Sequence, residues 1–175
     1  MKRVGLLRHA KSDWSDQDKR DHDRGLNRRG RLGAKLMGEH IAAEGTDWQL
    51  VLASTATRVR LTAASALPDA EITFDAALYL ASAEVLADAL SALPDTVQSV
   101  LLVGHNPGLQ NLVLTLVRPD AENALFDAAK EKFPTATFAI IELPDGPWSE
   151  AVAAGGTLTH FTRPRDLDAR LAPEP

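Results

Sequence analysis

The chain has 175 residues, of which 45% are hydrophobic and 25% charged, and this is the length and composition of one globular domain. Its net charge of −5 argues against a general attraction to nucleic acid or anionic membranes, and the absence of cysteine excludes disulfides, thiolate metal sites and a cysteine nucleophile. No apolar run is long enough for a signal peptide or a membrane span. We therefore expect a cytoplasmic protein without nucleic-acid or membrane partners, and a monomer.

The first predicted element is a strand that ends in a cationic and an imidazole side chain. Residues 4–7 (Val-Gly-Leu-Leu) form an apolar run typical of a strand buried on both faces of a parallel sheet. Arg8 and His9 follow at the strand end where open α/β sheets bind their ligands. A solvated strand end would carry the same residues, so this pair alone does not distinguish a binding site from an ordinary surface. The charge-dense stretch 11–24 that comes next is predicted to be a solvated loop.

Strands and helices then alternate along the chain. A helix is predicted from Asn27, as its N-cap, to Gly45. The hydroxyls of Ser54 and Thr55 are expected to cap a second helix, which ends at Pro68. Further helices are predicted at residues 82–93, 109–117 and 122–132, and further strands at residues 49–54, 71–74, 99–103, 137–143 and 157–162.

This alternation predicts an α/β fold, a three-layer α/β/α sandwich with a mostly parallel central sheet and helices on both faces. We expect the last two strands to add an antiparallel edge to that sheet. A single domain is predicted over residues 1–163. The proline-rich, charged tail over residues 164–175 is expected to be frayed.

Three strand ends carry the residues that are suited to chemistry. Besides Arg8 and His9, Arg58 lies in the first turn of the helix after the second strand, and His105 follows the strand 99–103. If these strands are parallel neighbours, all four side chains emerge at one rim of the sheet. Two guanidinium groups beside a helix N-terminus would bind an oxyanion, phosphate above all. An imidazole next to that anion can act as a nucleophile or as an acid near neutral pH.

Each of these residues also has a simpler interpretation. Arg58 could be a surface residue of its helix, and His105 could be a turn histidine that bonds its own backbone. The two histidines could instead ligate a metal. Neither a short-range histidine spacing nor a carboxylate cluster beside both histidines supports that reading, so we predict no metal and no other cofactor.

Four stretches, in chain order, resemble the markers of one protein family. They are residues 7–12 (Leu-Arg-His-Ala-Lys-Ser), 23–30 (Asp-Arg-Gly-Leu-Asn-Arg-Arg-Gly), 54–58 (Ser-Thr-Ala-Thr-Arg) and 103–107 (Val-Gly-His-Asn-Pro). The family is the histidine phosphatase superfamily, which has the phosphoglycerate mutase-like fold. Residues 10–12 and the Leu78-Tyr79 pair resemble its small phosphohistidine phosphatase branch, the SixA type. The resemblance extends over most of the chain, to about residue 163.

The resemblance implies a role for each matched residue. His9 would be the nucleophile and would form a phosphohistidine intermediate. Arg8 and Arg58 would clamp the phosphoryl oxygens, and His105 would complete that pocket as a donor. Arg24 is carried over as a substrate-binding residue near the pocket, although the glycine after it stands where the branch usually has proline. Catalysis would then rest on positioning and on fixed cations, without a metal ion.

One departure from the family pattern bears on the substrate. Larger relatives carry a carboxylic acid after the strand near Phe74, whereas here we assign Asp75 to the strand end and Glu84 to the first turn of its helix. Without an acid an alkoxide leaves poorly, but a phosphorylated imidazole leaves easily because its other nitrogen can be protonated. We therefore predict a metal-independent phosphatase that dephosphorylates protein phosphohistidine. The alternatives are a small-molecule phosphomonoesterase of the same superfamily and a non-catalytic phosphate-binding module.

Overall fold

A six-stranded sheet forms the middle layer of the computed structural model, which describes residues 1–173. The strands are β1 (Lys2–Arg8), β2 (Leu50–Ser54), β3 (Ile72–Asp75), β4 (Ser99–Gly104), β5 (Phe138–Leu143) and β6 (Thr157–Thr162), in the spatial order β3-β2-β4-β1-β5-β6. The first four in that order are mutually parallel, while β5 is antiparallel to β1 and β6 is antiparallel to β5. The predicted α/β class, the mostly parallel sheet and the antiparallel edge are therefore confirmed.

Helices cover both faces of this sheet. They are α1 (Arg28–Glu44), α2 (Thr57–Ala66), α3 (Ala83–Ser91), α4 (Gly108–Leu116), α5 (Ala124–Glu131), α6 (Trp148–Ala154) and α7 (Pro164–Leu167). The apolar sides of α1 and α2 pack on one face, and those of α3, α4, α5 and α6 pack on the other. Along β1, Leu6 and Leu7 point into opposite layers, as the period of two in a strand requires. No helix within residues 1–173 combines the length and the apolar character that crossing a membrane needs.

Two short helices differ from the sequence-based expectations. The helix α6 was not predicted, because its seven residues are too few to show a helical period; Trp148 anchors it by burying its whole indole and donating to the Val97 carbonyl. The tail over residues 164–173 is not frayed. It forms α7 and a short 3-10 helix, and the Arg29 guanidinium donates to the carbonyls of Arg170 and Ala172. Residues 174 and 175 of the predicted tail lie outside the described residues.

The predicted loop at residues 11–24 is tied to the fold at both ends. Ser12 and Leu26 form an isolated antiparallel bridge, and the Asn27 amide donates to the Lys11 carbonyl. Asn27 then caps α1 through its side chain, which accepts from the Gly30 amide at 2.8 Å, as predicted. These contacts hold the loop close to the ends of β1 and β2, where the predicted site residues lie.

Candidate active site

The ends of three adjacent parallel strands bring the predicted residues together. In the β1–β4 pairing Arg8 lies opposite Gly104, so that His9 and His105, the next residues along each strand, become neighbours. Their ring centroids are 5.3 Å apart. Arg58, in the first turn of α2, places Nη2 3.3 Å from His105 Nδ1. Arg8, His9, Arg58 and His105 thus converge at one rim of the sheet, and we call this group the four-residue cluster.

His9 is buried and has a defined tautomer. The His9 amide donates to the Gly104 carbonyl, and Nδ1 lies 2.8 Å from the Ala10 carbonyl oxygen. Since a carbonyl can only accept, Nδ1 carries the proton and the lone pair of the neutral ring is on Nε2. Burial, followed by the charges of Arg8 and Arg58, lowers the pKa of His9 to about 3, against the opposing effect of the Ala10 carbonyl. The ring is therefore neutral at physiological pH.

Burial lowers the pKa of His9 more than the neighbouring cations do. The side chain is only 7% exposed, and removal from water disfavours the imidazolium form more than either arginine does. Burial has a second effect on chemistry. A neutral nitrogen in a site with little water keeps an uncovered lone pair, which suits it to attack an electrophile.

His105 is held between the second strand and Arg58. Since the guanidinium is only a donor, His105 Nδ1 accepts from Arg58, and Nε2 donates to Ser54 Oγ at 2.8 Å. Burial, and then the charge of Arg58, lowers its pKa to about 4. Because both nitrogens have protein partners, His105 offers no free N–H to an anion in this arrangement. Donation from Nδ1 requires the proton to change nitrogen, and the Ser54 hydroxyl permits this because it can donate as well as accept.

Ser54 was expected to cap α2, and this expectation is wrong. The N-cap of α2 is Ala56, which has no capping side chain, and no side chain of the described part of the chain takes its place. The Ser54 hydroxyl accepts instead from the Ala56 amide at 3.2 Å and from His105. A second hydroxyl, that of Thr62, accepts from the Ala10 amide and donates to the Arg58 carbonyl, which links the end of β1 to α2.

The two arginines of the cluster have different partners. Arg8 Nη1 donates to the Phe133 carbonyl at 2.8 Å, while its buried Nε has no hydrogen-bond partner within residues 1–173. Burial, followed by the charge of Arg58, lowers the pKa of Arg8, as expected for a buried cation near a second one. Arg58 is 5% exposed, and it makes two hydrogen bonds to Asp21. Its Nη1 donates to the Asp21 carbonyl oxygen at 2.7 Å, and its Nη2 donates to Asp21 Oδ2 at 3.0 Å.

Asp21 and Tyr79 are residues of the site that sequence reasoning did not assign. The Tyr79 hydroxyl donates to Asp21 Oδ2, and this hydrogen bond, together with Arg58, lowers the pKa of Asp21. The aromatic ring of Tyr79 lies edge-on to His105, with centroids 5.4 Å apart. Asp21 belongs to the stretch predicted to be a solvated loop, and nothing in the sequence distinguishes it from the other charged residues of that loop. Tyr79 was noticed only as part of the Leu78-Tyr79 resemblance.

Arg24 lies apart from the four-residue cluster. Its guanidinium donates to the carbonyls of Asp16 and Gln17 and stacks over the Trp14 ring at 4.0 Å. Within the described residues 1–173 it makes no hydrogen bond to any member of the cluster. These contacts give Arg24 a part in shaping the loop, and its predicted role in binding substrate stays a prediction.

The two carboxylates considered as acids are where the sequence predicts them. Asp75 ends β3 and accepts from the Ala77 amide at 2.8 Å, and Glu84 lies in the first turn of α3. Within residues 1–173, Asp21 is the carboxylate that forms an ion pair with a member of the cluster, Arg58. Because its pKa is lowered, this group is ionised at neutral pH and cannot act there as a proton donor.

Comparison with known proteins agrees with this geometry. Residues 4–79 match the histidine phosphatase superfamily (branch 1). An uncharacterized protein of Mycobacterium tuberculosis is 34% identical over 160 residues, covering 91% of this chain and all of the relative. The fold is also that of two solved structures described as putative phosphohistidine phosphatases SixA. The one from Nakamurella multipartitia has a TM-score of 0.82 at 29% identity and covers 93% of this chain and 96% of that one.

The second structure, from Agrobacterium tumefaciens, is 32% identical, has a TM-score of 0.76 and covers 92% of this chain and 97% of its own. The family match includes the ends of β1 and β2, and the relative and the two structures are covered almost completely. The chain therefore belongs to the histidine phosphatase superfamily, in its SixA-type branch, and is a phosphatase.

Proposed function

We propose that His9 is the nucleophile of this phosphatase and that its substrate is a protein phosphohistidine. The first half of this proposal rests on the neutral His9 ring, whose Nε2 makes no hydrogen bond within residues 1–173 and lies near two guanidinium groups. Phosphoryl transfer has a loose transition state with charge on the peripheral oxygens, so the protein mainly has to position and stabilise. Arg8 and Arg58 are suited to that task because a guanidinium binds two oxygens at once.

The reaction has two steps, and each conserves atoms and charge. In the first, His9 Nε2 forms a bond to phosphorus while the bond from phosphorus to the substrate nitrogen breaks, and the released imidazole keeps its proton on its other nitrogen. In the second, water attacks the phosphorus of the His9 intermediate, and inorganic phosphate leaves with both protons of that water. The N–P bond breaks, and His9 returns to its Nδ1–H form, with Nδ1 donating to the Ala10 carbonyl throughout.

The choice of an N–P substrate rests on the carboxylates around the site. Asp75 is used at a strand end, Glu84 lies at a helix start, and Asp21 is held ionised by Tyr79 and Arg58. Within residues 1–173 neither Asp75 nor Glu84 makes a hydrogen bond to the four-residue cluster, and ionised Asp21 cannot donate a proton to an alkoxide leaving group. General acid catalysis contributes about 10²–10⁴ in rate. The two solved structures described as putative phosphohistidine phosphatases support the same substrate class.

A substrate panel tests this proposal. The full chain is assayed with a phosphohistidine peptide, with phosphoramidate and with an unactivated sugar phosphate. We expect kcat/KM to be at least about 10²-fold higher for the phosphohistidine peptide than for the sugar phosphate, from the missing acid. Equal values on both would overturn the substrate assignment and favour a small-molecule phosphomonoesterase. Saturable phosphate binding without turnover of any of the three would leave a binding module.

The lowered pKa values predict unusual tolerance of acid. A histidine of ordinary pKa about 6.5 is almost entirely protonated at pH 5, whereas His9, with a pKa of about 3, remains neutral there. We expect the imidazole NMR signals of His9 and His105 to stay in their neutral positions from pH 8 to pH 5. Enzyme-dependent loss of kcat/KM, after correction for ionisation of the substrate, should begin only below about pH 5.

The same shifts affect stability with a definite sign. Folding disfavours protonation of both rings, so the free energy of unfolding is unaffected above about pH 6.5 and falls as the pH drops toward about 4 and then 3. A titration midpoint for His9 near 6.5 would contradict both the pH prediction and the buried geometry on which it rests.

Asp21 competes with an anion for Arg58, and removing its charge is therefore expected to tighten phosphate binding. In Asp21→Asn we expect the inhibition constant of inorganic phosphate to fall by about 3- to 10-fold, because one negative charge next to the anion is removed. The matched control is Asp23→Asn, since Asp23 lies in the same loop but pairs with exposed Arg20. Weaker phosphate binding in Asp21→Asn would show instead that Asp21 holds Arg58 in its binding position.

A further inference from the structure

A cationic cavity lies beside the four-residue cluster, on the other side of β1. Its volume is about 580 Å³, and it is enclosed by the first turns of α1, the segment before β5 and the tail after β6. Because β6 runs parallel to β1 and β5 antiparallel to it, the end of β6 and the start of β5 meet at the same rim as the four-residue cluster. Arg8 lines the cavity, and its charge also lowers the pKa of His9. It therefore lies between the cavity and the rest of the four-residue cluster.

The side chains around this cavity are almost all of one sign. Among residues 1–173, six of its lining residues are basic and none is acidic; the basic ones are Arg8, Lys11, Arg29, Lys132, Arg163 and Arg165. Arg163 forms an ion pair with Asp166, which lies outside the lining, and Arg29 donates to carbonyl groups of the tail. Within residues 1–173, Lys11, Lys132 and Arg165 have no ion-pair partner. This concentration is notable in a chain with a net charge of −5, because like charges in a concave site repel one another.

The start of α1 adds to the positive potential. The N-cap Asn27 and Gly30 of the first turn both line the cavity, so the positive end of a 17-residue helix dipole faces it. Helices normally carry acidic residues in this turn, but α1 has none and begins with Arg28 and Arg29. Cations at that end oppose the dipole and cost stability, and an anion bound in the cavity would relieve both this opposition and the mutual repulsion.

We propose that this cavity is a second anion site, which binds the distal phosphate groups of a small ligand carrying two or more of them. Its volume lies within the range typical of small-molecule sites, and arginine and lysine together suit several phosphate oxygens. Since Arg8 belongs both to the cavity lining and to the four-residue cluster, such a ligand reaches from the cavity to the anion position at His9. The reach to His9 rests on the proposed function, whereas binding in the cavity does not.

Binding of inorganic tripolyphosphate, measured by calorimetry on the full chain, tests the proposal. We expect it to bind at least about 10-fold more tightly than inorganic phosphate. In the double variant Lys132→Gln/Arg165→Gln most of that gain should vanish, while binding of inorganic phosphate stays unchanged. The matched control is Lys35→Gln/Lys130→Gln, which removes two exposed charges from α1 and α5 outside the cavity and should keep the gain.

A second arm identifies the source of the phosphate groups. If a bisphosphate substrate has a higher kcat/KM than the matching monophosphate, and the cavity variant removes that advantage, the second phosphate belongs to the substrate. If tripolyphosphate binds and inhibits without any such advantage, the cavity serves a separate ligand. The proposal is overturned if tripolyphosphate binds no more tightly than phosphate, or equally well to the cavity variant. The His9→Ala variant is titrated with tripolyphosphate in parallel and should keep the binding in the cavity. A failure of the catalytic role proposed for His9 is thereby distinguished from a failure of the second anion site.

Discussion

Replacing His9 with alanine is expected to lower kcat by at least about 10⁴-fold while leaving the protein folded. The variant loses the Nε2 lone pair that attacks phosphorus, and no other histidine nitrogen in the cluster is free, since both nitrogens of His105 are engaged. A loss of that size corresponds to about 5.5 kcal/mol in activation free energy. What remains is the binding of phosphate by Arg8 and Arg58 and a slow direct attack by water.

Three measurements make this prediction specific. Single-turnover quenching should trap phosphate on the wild-type chain and not on His9→Ala. The control His160→Gln removes another histidine, on β6, and should retain the wild-type rate. A thermal unfolding curve checks the fold, because His9 is buried and its removal leaves a small cavity that costs about 1–2 kcal/mol. A wild-type rate in a folded His9→Ala variant would remove His9 from the role of nucleophile.

The meeting of the four-residue cluster could be predicted from sequence because it depends on few facts. Arg8 and His105 each follow a short apolar strand, and parallel neighbouring strands end at the same rim of a sheet. Arg58 lies in the first turn of α2, the helix that follows β2. Backbone topology alone therefore brings these residues close, whatever the details of packing.

The parts that could not be predicted depend on the path of a loop or on short elements. Asp21 and Tyr79 are 58 residues apart in the chain, and their contact depends on how the loop 11–24 folds back over the rim. A charge run shows no period from which that path follows. The tail helix α7 has only four residues and depends on Arg29 contacting a segment more than 140 residues away.

Burial is a second property that the sequence did not reveal. A rim position suggests solvated side chains, yet His9 and Arg58 are 7% and 5% exposed, and Asp21 of the loop 11–24 contacts the Arg58 guanidinium and the Tyr79 hydroxyl. Burial is the largest cause of the lowered pKa of His9, and it strengthens the electrostatic effect of each arginine on a bound anion.

Arg58→Ala is expected to lower kcat/KM by about 10²- to 10³-fold, or about 3–4 kcal/mol in transition-state stabilisation. The guanidinium is buried and lies 3.3 Å from His105 Nδ1, so water screens its charge little from the phosphoryl oxygens. Arg58→Lys should recover only part of the loss, because an ammonium cannot bind two oxygens in the same plane. In Arg58→Ala the pKa of His9 should rise, because a nearby positive charge is removed. The rise should be seen both in the NMR titration and in the acid limb of kcat/KM.

The neighbouring arginine provides the control for Arg58. Arg60 lies on the same helix, but its guanidinium is directed away from the cluster, over the Phe74 ring at 4.1 Å and toward the Thr55 carbonyl. Arg60→Ala removes the same charge from α2 and should change kcat/KM by less than about 3-fold, the range of a surface charge. If the two alanine variants lose the same activity, the effect belongs to the general charge of α2 and not to a clamp at Arg58. If kcat falls in Arg58→Ala while phosphate inhibition is unchanged, Arg58 acts only in the transition state, and its proposed contact with the ground-state anion is wrong.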